Sequence, residues 1–176
     1  WASRPTAQII VSMLSPDGQS AYPADPRVVL QQVLARYTKL GLTPVVASEM
    51  EFHLLEIDRD QFGRPQHTQR ALDGSPALGG ATYGIEAMRK IAPLMDAISS
   101  TAGQQNLPVD TLISEFGASQ CEINLHHQDC ALRACDQASM LRRAIRAVAQ
   151  QQGKQASFMA KPYADRPGNG MHLHIS

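Results

Sequence analysis

The sequence has no surplus of charge of either sign: 16 Lys and Arg stand against 16 Asp and Glu in 176 residues. A nucleic-acid partner needs clustered cations to meet its phosphates, and a balanced chain does not supply them. The one basic group, Arg142, Arg143 and Arg146, reads as the solvated outer face of a helix. Long apolar runs are missing as well. None approaches the roughly 18 residues a membrane-spanning helix requires, so no membrane span is expected. Cysteine is scarce: Cys121, Cys130 and Cys135 are odd in number and lack CxxC spacing. That pattern argues against a disulfide framework or a thiolate zinc site and suits reduced thiols in a cytoplasmic protein. There is no GxxxxGK(S/T) loop, and no GxGxxG follows a strand, so any nucleotide phosphates would be held mainly by metals and side chains. Repeats and low-complexity tracts are absent too.

What remains is about one domain, long enough to bury a core. Residues 7–14 form an apolar, β-rich run that Ser15-Pro16-Asp17-Gly18 ends with turn chemistry. Asp25-Pro26 then predicts a helix start, with Val29, Leu30, Val33, Leu34 and Tyr37 as its apolar stripe and Gly41 as its stop. Residues 43–57 predict a long strand, in which Glu49, Glu51 and His53 alternate with Met50, Phe52 and Leu54. Residues 58–83 are polar and rich in Gly and Pro, which predicts a lid, an interface segment or a mobile loop. A helix is expected over 84–102, with Ile85, Met88, Ile91, Leu94, Met95 and Ile98 apolar. Strands near 108–115 and 120–126 flank a Gly117-Ala118-Ser119 turn, a helix follows over 132–152, and strands close the chain at 155–160 and 170–176. Adjacent strands over 109–126 favour antiparallel pairing, hence an α+β fold.

Glu49 and Glu51 are two apart on a strand, so their carboxylates share a face. Like charges at that distance repel, and either a divalent cation offsets the repulsion or the pair faces solvent on an edge strand. Glu115 and Glu122 flank a small-residue turn, so a hairpin would fold one back towards the other, with Asn124 on the face of Glu122. After a glycine loop, His172, His174 and Ser176 alternate with Met171, Leu173 and Ile175. One face is suited to ligands and the other to a core. Carboxylates with an imidazole are the donors that magnesium or manganese accepts. The His126-His127 pair near Cys130 fits no common metal-site spacing.

Five stretches in register resemble the glutamine synthetase superfamily: ASEMEF (47–52), SEFGASQCEIN (114–124), ALRACDQ (131–137), SFMAKP (157–162) and GNGMHLHIS (168–176). The resemblance covers essentially the whole chain. It implies an α+β catalytic domain with an antiparallel sheet and flanking helices. It further implies an ATP-dependent ligase that joins glutamate to an amine through a γ-glutamyl phosphate. By the same match, Glu51, Glu115 and Glu122 hold one Mg2+ or Mn2+ ion, and Glu49 and His172 hold the second. His174 contacts ATP and stabilises charge on the transferring phosphoryl group, while Ser176 and Asp110 also fall at ATP-contacting positions. Gly168, Asn169 and Gly170 match the loop that holds glutamate.

Two departures refine the resemblance. Proline at position 167 stands where glutamine synthetases proper usually carry asparagine, and Ala118-Ser119 replaces a frequent Pro-Gly. With MAKP ahead of it, the loop is most similar to the γ-glutamylpolyamine synthetase branch, whose acceptors are putrescine and related amines; ammonia is the alternative, and a non-catalytic homologue a further one. The chain opens on Trp1 rather than Met, so residues 1–5 are expected to end a linker from an N-terminal β-grasp domain, with 6–176 the front of the catalytic domain. Family members act as homo-oligomers, such as dodecamers of two hexameric rings, and carry a C-terminal segment with further site residues. The 176-residue polypeptide alone is therefore expected to be inactive.

Overall fold

The computed structural model describes residues 4–68, 79–80 and 82–176. In chain order the elements are α1 (Pro26–Lys39), β1 (Val46–Arg59), β2 (Pro65–His67), α2 (Ile85–Gln104), β3 (Val109–Ser114), β4 (Gln120–Leu125), α3 (Ala131–Gln151), β5 (Lys154–Ser157) and β6 (Met171–Ile175). Of the expected 58–83 loop, residues 69–78 and 81 lie outside the described residues; ahead of them β1 runs on to Arg59 and β2 folds back on it.

β1 organises the sheet. One of its edges pairs with β4 over Glu49–His53 and then with β2, and the other pairs with β6 over Val46–Met50 and β5 over His53–Glu56. β3 continues the sheet beyond β4, and every one of these pairings is antiparallel. The turn into β4 is tight: Gln120 N–H donates to Gly117 O at 3.0 Å, and Ser119 takes the left-handed conformation at φ 58°. Ala118-Ser119 thus makes the turn, at the cost of a backbone state that glycine adopts more readily.

α2 and α3 cover one face of the sheet. Met50, Phe52 and Leu54 of β1 meet Cys121 and Ile123 of β4, Leu94, Met95 and Ile98 of α2, and Leu141, Ile145 and Val148 of α3 in one core. Burying each large side chain contributes roughly 1.5–3 kcal/mol. The period-2 alternation of β1 leaves the opposite face to Glu49, Glu51 and His53. The observed mixture of helices and an antiparallel open sheet is the α+β arrangement expected.

Three expectations need correction. Residues 7–14 form no strand; a single bridge, Leu14 to Ala21, is their ladder contact, and Ile9 and Val11 are exposed. Apolar content favours a strand, but a strand also needs a partner edge, which β1 does not offer here. α1 starts as predicted, with Asp25 accepting from Arg27 and Val28 N–H, yet Val29, Val33 and Tyr37 of its stripe are exposed and Val28 is buried instead. α1 meets the rest through Leu34 of the expected stripe, which packs on Val46, Ala131 and Ala134, and through the Arg27–Asp136 ion pair to α3. Ile85, the first residue of α2, is exposed because its turn overhangs the core. Arg142, Arg143 and Arg146 are exposed on α3 as expected, and the Arg142 and Arg146 guanidinium groups also lie over the Phe158 ring, at 5.2 and 5.4 Å.

Candidate metal and substrate site

The polar face of the sheet gathers acidic side chains from both sides of β1. Glu122 of β4 lies directly opposite Glu51, and Asn124 opposite Glu49. Side chains so paired stand about 5 Å apart at Cβ. The β3–β4 register, with Ser114 opposite Cys121 and Ile113 opposite Glu122, carries Glu115 to Gln120, diagonal to Glu122 on the same face. On the other edge of β1, β6 sets His172 opposite Glu49. His172 Nδ1 lies 3.1 Å from Glu49 Oε2, and His174 Nε2 lies 2.7 Å from Glu49 Oε1. One carboxylate therefore serves two imidazoles. Ligand atoms of Glu49, Glu122 and His172 all fall within 4.8 Å of one another.

Glu49 pairs with the imidazoles of His172 and His174. Glu122 is 7% exposed. Burial pushes its carboxyl pKa up, and the charges of Glu115, Glu49 and Glu51 push it further the same way. Beside it, Asn124 Oδ1 is buried without a hydrogen-bond partner. Clustered carboxylates, an orphaned amide oxygen and one imidazole form an oxygen-rich, thiolate-free donor set, which fits Mg2+ or Mn2+ and does not suit a structural zinc. A cation bound there would remove the repulsion that Glu122 now bears.

The glycine loop abuts this cluster. Glu51 N–H donates to Gly170 O at 3.1 Å, extending the β1–β6 ladder into the loop. A Cβ at Gly170 would lie 2.8 Å from Glu51 Oε1, and one at Gly168 would lie 2.6 Å from Ala160 O, so only glycine allows these approaches. Asn169 donates through Nδ2 to Ser157 O and Met159 O, at 3.1 and 2.9 Å, and so ties the loop to β5.

Other predicted residues are more dispersed. Ser176 continues the β6 pairing through backbone bonds with Val45. Asp110 lies at the start of β3, with its carboxylate 3.6 Å from His126 Nδ1. The His127 ring, set aside on spacing, stands 6.3 Å from that of His174. Met171, Leu173 and Ile175 were expected in a core, but they are 61%, 56% and 63% exposed. Among the described residues β6 is bonded to β1 alone, and its apolar face borders an open groove of about 390 Å³ that reaches Ala134 and Ala138 of α3 rather than lying beneath the helix.

Two buried residues escaped the sequence reading. His53 donates from Nε2 to Pro167 O at 3.0 Å, and burial lowers its pKa, which suits a neutral ring. Gln120 contacts both Glu51 and the glycine loop. The signal for both was the period of two: His53 shares the face of Glu51, and Gln120 that of Glu122.

The family described as "Glutamine synthetase, catalytic domain" matches residues 23–176. The chain belongs to that family. It is 36% identical over 169 residues to the gamma-glutamylputrescine synthetase PuuA of Escherichia coli K12, covering 96% of this chain and 36% of that relative. With a glutamine synthetase of Pyrococcus horikoshii it shares 34% identity over 155 residues, 88% of this chain and 32% of the relative. The fold is similar to a solved GmaS/ADP complex, with a TM-score of 0.77 and 27% identity across 91% of this chain and 35% of that one. The chain spans about a third of the length of these glutamine synthetase relatives. Among the described residues, no helix is long and apolar enough to cross a membrane.

Proposed function

We propose that the full-length protein is an ATP-dependent ligase that forms a γ-glutamyl amide from glutamate and an amine, with a polyamine such as putrescine as the favoured acceptor. The observation that carries this reading is the convergence of Glu49, Glu122 and His172, from three strands, to within 4.8 Å beside a glycine loop. In this reading Glu51, Glu115 and Glu122 hold one Mg2+ or Mn2+ ion, and Glu49 and His172 hold a second. Ions held there would supply charge neutralisation for the ATP phosphates and for the charge that develops as a phosphoryl group moves.

This chain's own residues do the remaining work. His174, beside Glu49, adds a positive or donating group at the transferring phosphoryl group. Ser176 and Asp110 contact ATP, Asp110 from the edge of the site. Gly168, Asn169 and Gly170 hold glutamate so that its side-chain carboxylate faces the γ-phosphate. That carboxylate attacks phosphorus, ADP leaves, and the amine then displaces phosphate from the acyl carbon. The 36% identity with a gamma-glutamylputrescine synthetase supports a polyamine acceptor, and the 34% identity with a glutamine synthetase supports ammonia as the second reading. We further propose a cytoplasmic homo-oligomer, of the kind built from two hexameric rings; three free thiols and the exposed Ile9, Val11 and Leu14 support this.

The test is phosphate release by the full-length protein with ATP, Mg2+ and glutamate, comparing putrescine, spermidine and ammonia. Stimulation by a polyamine is expected. Stimulation by ammonia alone would return the reading to glutamine synthesis, and no release with any amine would favour a non-catalytic homologue.

A further inference from the structure

Gln120 physically joins the carboxylate cluster to the glycine loop. It is 2% exposed, and its chemical surroundings fix which way its amide points. Oε1 accepts from Gly117 N–H at 3.0 Å. Nε2 faces Glu51 Oε2 at 2.8 Å, Gly168 O at 2.9 Å and Asn169 Oδ1 at 3.4 Å. A reversed amide would set its oxygen against a carboxylate and a carbonyl, and its NH2 against an N–H. The two amide hydrogens are thus committed to Glu51 and Gly168.

The seat is shaped around that side chain. A Cβ at Gly117 would lie 2.6 Å from Gln120 Oε1 and 2.9 Å from His53 Cε1, so glycine is required where Gln120 anchors. His53 secures Pro167 O on the same loop, one residue before the carbonyl that Gln120 takes.

We propose that Gln120 is a positioning residue: its amide holds Glu51 and Gly168 in fixed relation, which couples cation binding at the carboxylates to amino-acid binding at the loop. The identity of those two ligands rests on the ligase reading above. Without the NH2 group, Glu51 loses a donor that selects one carboxylate orientation, and Gly168 O loses its partner. A hydrogen bond to a charged group, once lost, is expected to weaken binding about tenfold.

The test uses the full-length protein and two variants. Gln120→Met keeps the length and loses both functions, whereas Gln120→Glu, assayed at a pH where residue 120 is ionised, keeps an acceptor for Gly117 N–H but cannot donate to Glu51 or Gly168. Mn2+ binding is titrated by the paramagnetic resonance signal of free Mn2+, without ATP or glutamate, and KM is then measured for glutamate and for ATP. Both variants are expected to weaken Mn2+ binding and to raise the glutamate KM, each about tenfold, with the ATP KM changed far less. Wild-type behaviour of Gln120→Glu would show that Gln120 serves only the turn, and would overturn the proposal. A lowered melting midpoint with unchanged Mn2+ affinity and glutamate KM would overturn it equally. If the wild-type protein proves unable to use glutamate, the ligase reading fails, while the Mn2+ titration still decides whether Gln120 positions Glu51.

Discussion

Glu122 carries its charge where the fold gives it little water and three acidic neighbours. Its pKa is raised in the folded protein, first by burial and then by Glu115, Glu49 and Glu51. A group whose folded pKa lies above its unfolded value binds more protons folded than unfolded across that window. Its contribution to stability is therefore present at low pH and is lost as pH rises through the folded pKa. In metal-free protein, Glu122→Gln is expected to melt at a higher temperature than the wild type above neutral pH, and the advantage should shrink as the pH falls. Saturating Mg2+ should reverse the order, because only the wild type offers the anionic ligand. A wild type more stable than the variant in chelator at every pH would contradict this account. The two histidines divide differently. His172→Ala should weaken Mn2+ binding about tenfold or more, whereas His174→Ala, which removes only a hydrogen bond to Glu49, should weaken it less and also raise the ATP KM. Titration of free Mn2+ beside initial-rate kinetics separates the two.

At the scale of elements, β1 unites the site, since all its flanking strands take their register from it. Phe52 is fully buried there. Phe52→Ala should cost about 3–5 kcal/mol by denaturant unfolding, an effect on folding and not on ligands. Gly170→Ala should do the opposite: the protein should fold, but a Cβ 2.8 Å from Glu51 Oε1 should displace that carboxylate and weaken Mn2+ binding several-fold, a result the same titration reads. These elements also mark what the sequence made visible. Glu49, Glu51 and His53 against Met50, Phe52 and Leu54 is a period-2 pattern that local chemistry writes into the chain, and the fold obeys it. The pairing of β4 and β6 with opposite edges of β1 is non-local, so the approach of Gln120 to Glu51 could not be read from spacing. Residues 7–14 and the apolar side of β6 failed for a related reason: alternation states which residues share a face but not what covers that face.

At the scale of the whole molecule, the two-layer fold divides its labour between faces. α2 and α3 stabilise the sheet from one side, which leaves the other free to crowd carboxylates that a core would not tolerate. If the full-length protein is the ligase proposed above, it should need the cation, the nucleotide and the amino acid together. Chelation of the full-length protein should accordingly abolish phosphate release, and Mg2+ or Mn2+ should restore it. The most direct test of the central claim follows one oxygen atom. Glutamate labelled with oxygen-18 in its side-chain carboxylate is incubated with the full-length protein, ATP, Mg2+ and putrescine, and the products are analysed by mass spectrometry. Activation as an acyl phosphate predicts one labelled oxygen in the released phosphate and one retained in the γ-glutamyl amide. Phosphate free of label, or release without amide, would contradict the account.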